Sequence, residues 1–192
     1  MRRAARALLL AAVLAAAAAG CGNDRVKPAS APAGEAPEGN HQSDFPGQGV
    51  RLFRPENWEE VPGTAPQLVT IRSGQSTIAV WRYPRKGEQL PTTVAEFERA
   101  RRAFVEAARA RDRTLTFESV KFVRISGVPG IEAIATERIQ GRVRKVRSTH
   151  FYAQGAEVVI DAYAPQRDFR TVNRTVFEPL VQSVKIERPR GS

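Results

Sequence analysis

Sulfur and imidazole are scarce in this chain: among 192 residues there are one cysteine, one methionine and two histidines. A lone cysteine excludes a disulfide within the chain. Two histidines leave little for zinc, which wants three or four convergent ligands, or for a nucleophile with its base and orienting acid. Long apolar runs are missing after residue 20, so nothing there supplies the roughly 20 residues of a membrane-spanning helix. There is no glycine-rich stretch leading from a strand into a helix with a following lysine, no Asp-x-Asp calcium loop and no internal repeat. What is abundant is positive charge, 30 Lys and Arg against 20 Asp and Glu, a net +10.

The first residues explain part of that charge. Arg2, Arg3 and Arg6 precede an uncharged run from Ala7 to Ala19, the order of a secretory leader. At about 13 residues the run is too short to span a bilayer. Ala4-Ala5-Arg6 behind the arginine pair lacks the hydrophobic residues of a twin-arginine signal, which favours the general secretory route. The run ends in Ala18-Ala19-Gly20-Cys21, which resembles the bacterial lipobox: small residues lie extended in the peptidase, and the thiol accepts diacylglycerol. The resemblance implies a leader over residues 1–20, a mature chain that begins at acylated Cys21, and a lipid anchor on the extracytoplasmic side of a membrane.

Removing residues 1–20 takes away three arginines and leaves +7. Residues 22–48 hold Asp24, Glu35, Glu38 and Asp44 against Arg25 and Lys27. The part from Gly49 onward therefore carries +9. In an exported protein such a charge points away from nucleic acid and toward anionic lipid headgroups or phosphate-bearing envelope polymers. Residues 21–48 read as the lipidated cysteine and a linker rich in Pro, Ala, Gly, Glu and Ser, about 30 Å end to end as a coil. Residues 49–188 fit one domain with a real core, and residues 189–192 a tail.

Within that domain Val50 to Phe53, Gln67 to Arg72 and Thr77 to Tyr83 are short β-rich runs bounded by Pro, Gly and Ser. Thr93 and Glu96 form a capping box ahead of Val94, Phe97, Ala100, Phe104 and Ala108 at helical spacing, which predicts a helix from Val94 to Arg111 with Glu98 and Arg102 paired on its outer face. Strands follow at Phe117 to Ile125, Ile131 to Gln140, Val143 to Ala153 and Glu157 to Ala164, with turns at Gly127 to Gly130, Gly141 and Gly155. Asp168 is placed to cap a second helix bearing Phe169, Val172, Val176 and Phe177 and interrupted near Pro179, before a last strand at Val184 to Ile186. Strands grouped in this way predict an α+β layered domain, an antiparallel sheet of about seven strands with two helices packed on it.

Val50-Arg51-Leu52-Phe53-Arg54-Pro55 with Trp58, the turn Gly127 to Gly130, and the segment Tyr163-Ala164-Pro165 with Phe169, Phe177 and Ser183 resemble the PsbP-like fold. That resemblance implies an accessory or binding protein without a shared catalytic site.

Little else carries chemistry. His41 falls in the linker, and His150 reads as a packed or surface strand residue. Glu118, Glu132, Glu137, Glu157 and Asp161 are strand carboxylates of the kind a glycosidase pairs across a cleft, yet any sheet with a wet face shows as many. Trp58, Trp81, Tyr83, Phe151, Tyr152 and Tyr163 could line a pocket for a lipid or sugar. The most unusual feature is Arg138, Arg142, Arg144, Lys145 and Arg147 around the Gly141 turn, five cations within ten residues and no acid among them. It reads either as a solvated hairpin end that deters edge pairing or as an anionic-surface contact. The sequence thus points to a membrane-anchored, non-catalytic accessory or binding module of the cell envelope, with an unknown protein partner and no cofactor or metal. A carrier of an apolar ligand is the second reading, an envelope hydrolase the third.

Overall fold

In the computed structural model, which describes residues 36–190, the chain forms a strand where the sequence reads as linker. β1 (His41–Phe45) turns through Pro46–Gln48 and pairs antiparallel with β2 (Val50–Arg54), Ser43 opposite Leu52. The linker reading is thereby corrected for its last stretch, and Cys21 lies outside the described residues. The short β3 (Glu59–Pro62) is a second strand that the sequence did not announce.

The rest follows the expected order. β4 (Gln67–Ser73) and β5 (Ser76–Pro84) form a hairpin, α1 (Val94–Arg111) crosses over, and β6 (Thr116–Ile125), β7 (Val128–Ile139), β8 (Arg142–Ala153) and β9 (Ala156–Pro165) make a meander. Its turns are Ser126-Gly127, Gln140-Gly141 and Gln154-Gly155, each with positive φ at both positions. This two-residue geometry twists as the strands do. The first turn is therefore tighter than the Gly127 to Gly130 expected from sequence. Gly130 belongs to β7, where a Cβ would stand 2.5 Å from the His150 carbonyl oxygen, so the glycine serves close strand approach.

α1 begins at the expected capping box: the Glu96 amide donates to the Thr93 hydroxyl at 3.3 Å, and the Glu96 carboxylate accepts from the Thr92 and Thr93 amides at 2.8 and 3.0 Å. These backbone donors, Thr92 first, hold the Glu96 carboxyl down at about 2. Glu98 pairs with Arg101 at 2.9 Å, one residue short of the expected Arg102.

The second helical stretch, α2 (Phe169–Val172), a π turn at Asn173–Phe177 and α3 (Glu178–Ser183), is not broken at Pro179. The proline sits in the first turn of α3, where its missing N–H is tolerated, and the π turn absorbs the change of register. Asp168 makes no capping bond with its side chain, which faces Arg167 at 3.3 Å. β10 (Lys185–Ile186) closes the chain against β2.

Among the described residues there are two antiparallel sheets, one of seven strands in the order β3-β4-β5-β9-β8-β7-β6 and one of three in the order β1-β2-β10. One face of the large sheet packs Ile78, Val80, Phe151, Val158 and Ile160 against the small sheet's Val50 and Leu52 and against Phe177 and Leu180 of the second helical stretch. Each large side chain so removed from water contributes about 2 kcal/mol. The other face lies beneath α1, where Ala108 meets Ala135, Val146 and Tyr163, flanked by Phe104 and Phe117. Both faces bury polar side chains: Arg147 and Glu132 on the first, Ser148, His150 and Asp161 on the second.

Candidate functional site

Strand registry builds one polar cluster under α1. Ser148 and His150 project from the same face of β8 two residues apart, and Asp161 of β9 stands opposite Ser148. Ser148 Oγ donates to Asp161 Oδ1 in a short hydrogen bond. His150 Nε2 lies 3.2 Å from Ser148 Oγ, and His150 Nδ1 lies 2.8 Å from Glu157 Oε1. Phe104 of α1 caps the imidazole at 4.5 Å between ring centroids, and Phe97 meets Tyr152 edge-on at 5.8 Å. Arg85 closes the outer end, its Nη2 at 2.5 Å from Glu157 Oε2.

Serine, imidazole and carboxylate in this order resemble a nucleophilic relay, so the protons decide what the cluster can do. A hydroxyl has one proton, and here Asp161 receives it. With that proton given to Asp161, the hydroxyl does not hand it to His150 Nε2, so the contact at 3.2 Å is not that of a base drawing the proton from Ser148. Ser148 is 2 % exposed, Asp161 0 % and His150 6 %, so the group is sealed beneath α1. Burial pushes the Glu157 carboxyl up, but the hydrogen bond and charge of His150, with those of Arg85, hold it at about 2. Burial and the Glu157 charge push the Tyr152 phenol well above its ordinary range. The arrangement cross-links β8, β9 and the segment after β5.

The five cations around Gly141 do not form one surface. Alternation along β8 sends them to opposite faces, and acids of other strands take up two of them. Arg147 is buried and binds Glu132 Oε2 through Nε and Nη2 at 3.0 and 2.6 Å, with Asn173 Oδ1 at 3.0 Å. Lys145 pairs with Glu118 at 2.8 Å and lies 5.5 Å over the Phe169 ring. That lysine's hydrogen bond holds the Glu118 carboxyl below its ordinary value. Arg144 is also buried, and its Nη1 reaches the Gln75 carbonyl at 3.4 Å. Arg138 and Arg142 alone of the five are exposed. A contact surface made of all five is therefore not what the fold presents.

The aromatic residues separate as well. Trp58 and Phe151 belong to the core against the small sheet, Tyr163 to the cluster under α1, and Trp81 with Tyr83 to a third cluster with Ala79 and Val159. A concavity of about 310 Å³ along α1 is lined, among the described residues, by Arg101, Arg102, Val105, Glu106 and Arg109 and by none of those aromatics. His41 begins β1 and is exposed. No group of three or more His, Cys, Asp or Glu side chains converges as metal ligands among the described residues, and no helix there is long and apolar enough to cross a membrane.

Neither a protein-family model nor a curated protein matches the chain. Solved structures do. Cyanobacterial PsbP (CyanoP) from Synechocystis superposes with a TM-score of 0.62 at 11 % identity, over 88 % of this chain and 98 % of that one. LpqN, described as involved in cell envelope biogenesis of Mycobacterium tuberculosis, gives 0.55 at 14 % identity over 77 % and 90 %. The Ran-binding protein Mog1p of Saccharomyces cerevisiae gives 0.52 at 9 % identity over 79 % and 97 %. The fold is PsbP-like. Proteins so differently described on one fold mean that the fold does not choose the function.

Proposed function

We propose that this chain is an exported, lipid-anchored and non-catalytic module of the cell envelope, held at the extracytoplasmic side of a membrane by acyl chains on Cys21 and serving as an accessory or binding part for a protein partner. The observation that carries the anchor is Ala18-Ala19-Gly20-Cys21 at the end of a short apolar run behind three arginines. One acyl chain holds only marginally, whereas two or three give stable attachment. The likeness of fold to LpqN, described as an envelope biogenesis protein, supports the same setting. Support for a non-catalytic role comes from the sealed Ser148, His150 and Glu157 cluster, in which Ser148 gives its proton to Asp161. The test is fractionation of cells that express the full chain or its Cys21→Ser variant. The unsubstituted protein should sediment with membranes and the variant should appear in the soluble exported fraction. Equal partitioning of the two would overturn the anchor.

A further inference from the structure

The chain's entry point and its exposed cations meet at one end of the large sheet. The β4–β5 turn, the β7–β8 turn and the C-terminal end of β9 share that end, since Thr77 stands opposite Tyr163 and Lys145 opposite Ala164. The segment after α1 joins them: the Arg138 amide donates to Thr114 Oγ1 at 3.0 Å. The N-terminal segment arrives there too. Asn57 donates to the Ala36 carbonyl at 2.8 Å and accepts from the Glu38 amide at 3.0 Å, and two residues later Glu59 pairs with Arg72 beside the Gly74 turn.

Exposed on this end are Arg113, Arg138, Arg142, Arg167 and Arg170. The acids at this end are Asp112, which accepts from the Thr114 amide and hydroxyl at 2.7 Å each, Asp168, which pairs with Arg167 at 3.3 Å, Glu118, which pairs with Lys145 at 2.8 Å, and, at the chain entry, the exposed Glu38 and Glu56. Arg72 is neutralised by Glu59 at 2.8 Å. The opposite end, at the Gly127 and Gly155 turns and the start of α1, exposes Val94 and Phe122 beside the cations Lys86, Arg99 and Arg124, and no described segment of the N-terminal side reaches it.

We propose that the basic end is a docking surface for the anionic phospholipid headgroups of the leaflet that holds the anchor. This deepens the lipid-anchored reading and rests on it. Only 15 peptide steps separate Cys21 from Ala36, a reach of at most roughly 50 Å. Because the chain enters at the same end of the sheet as the arginines, on its β3 edge, the anchored protein brings that end to the surface without the segment having to pass around the domain. Attraction to an anionic leaflet acts within a Debye length of about 8 Å at physiological salt. The docked end therefore alternates with a released one as salt or lipid charge changes.

The test uses the chain from residue 21 onward with Cys21→Ser, which retains every element described and bears no acyl chain. It is sedimented with vesicles of phosphatidylcholine alone or with phosphatidylglycerol, at low and high salt. Beside it stand a variant with Arg138, Arg142, Arg167 and Arg170 changed to Ser and a charge-matched variant with Lys86, Arg99, Arg102 and Arg124 changed to Ser. Binding to the anionic vesicles at low salt should fall on the order of tenfold or more in the first variant and within about twofold in the second. Thermal unfolding of both variants confirms that they fold. Equal losses in the two variants would show a response to net charge alone and overturn the docking end, as would retention in the first. Because no anchor is present, either failure leaves the Cys21 reading to its own fractionation test.

Discussion

Glu157 is the residue on which the buried polar cluster turns. Its carboxyl sits at about 2 in the folded chain against an ordinary 4.5, held there by His150 and Arg85 against burial. A carboxyl depressed on folding contributes stability that is complete above the unfolded value and is lost as pH falls toward the folded one. The contribution is about 2–3 kcal/mol near neutral pH. Glu157→Gln should therefore lower the unfolding free energy at pH 7 by about 2 kcal/mol and flatten its decline between pH 5 and 2, as measured by denaturant titration across that range. A decline parallel to that of the unsubstituted protein would show that Glu157 does not carry it. The sequence did show His150 as a strand residue that is packed or bonded. It could not show Ser148 and Asp161 as partners, because that contact depends on how β8 registers against β9.

At the level of elements, local signals were readable and tertiary ones were not. α1 was legible at both ends because its capping box and its 3.6-residue period agree, and the meander was legible because glycines mark its turns. β1 was hidden: His41-Gln42-Ser43-Asp44-Phe45 has no apolar alternation, and only Ser43 is buried, its hydroxyl bonded to Glu60. β3 is four residues long and ends in Pro62, too short for a period to show. The dispersal of the basic hairpin was equally invisible, since Glu132 and Glu118 reach Arg147 and Lys145 from neighbouring strands. The importance of β1 can be measured. A chain that begins at Ala36 should unfold as the chain from residue 21 does, whereas one that begins at Pro46 loses five cross-strand pairs and should be weaker by on the order of 2 kcal/mol. Equal midpoints for all three chains would mean that β1 adds nothing to the fold.

For the whole molecule, the layered α+β architecture was legible from the grouping of strands, while its division into sheets of seven and three strands was not. The small sheet joins the two extremes of the sequence, with β1 on one side of β2 and β10 on the other. Its hinge point is Gly49, at φ 62° and so close to the Glu187 carbonyl that a Cβ would stand 2.2 Å from it. Only glycine tolerates that pairing of conformation and approach. The consequence for the molecule is polarity: the chain enters at the end that carries Arg138 and Arg142, and Val94 and Phe122 are exposed at the other. In the docked arrangement proposed above, a partner drawn to Val94 and Phe122 would meet them on the side turned away from the membrane.

The placement of β1 also gives the molecule a mechanical character. β1 runs away from the side where Asn57 holds Ala36, with its hydrogen bonds to β2 across the line of pull. Tension between Ala36 and a contact at the far end loads all five residue pairs together, in shear. Tension applied from the near end opens them one after another. In single-molecule pulling from Ala36, a handle at Gly155 should therefore require a higher rupture force than a handle at Asn57. Equal forces would refute this geometry, and a higher force at Gly155 would mark β1 as the clasp through which the chain, anchored as proposed above, withstands being tugged.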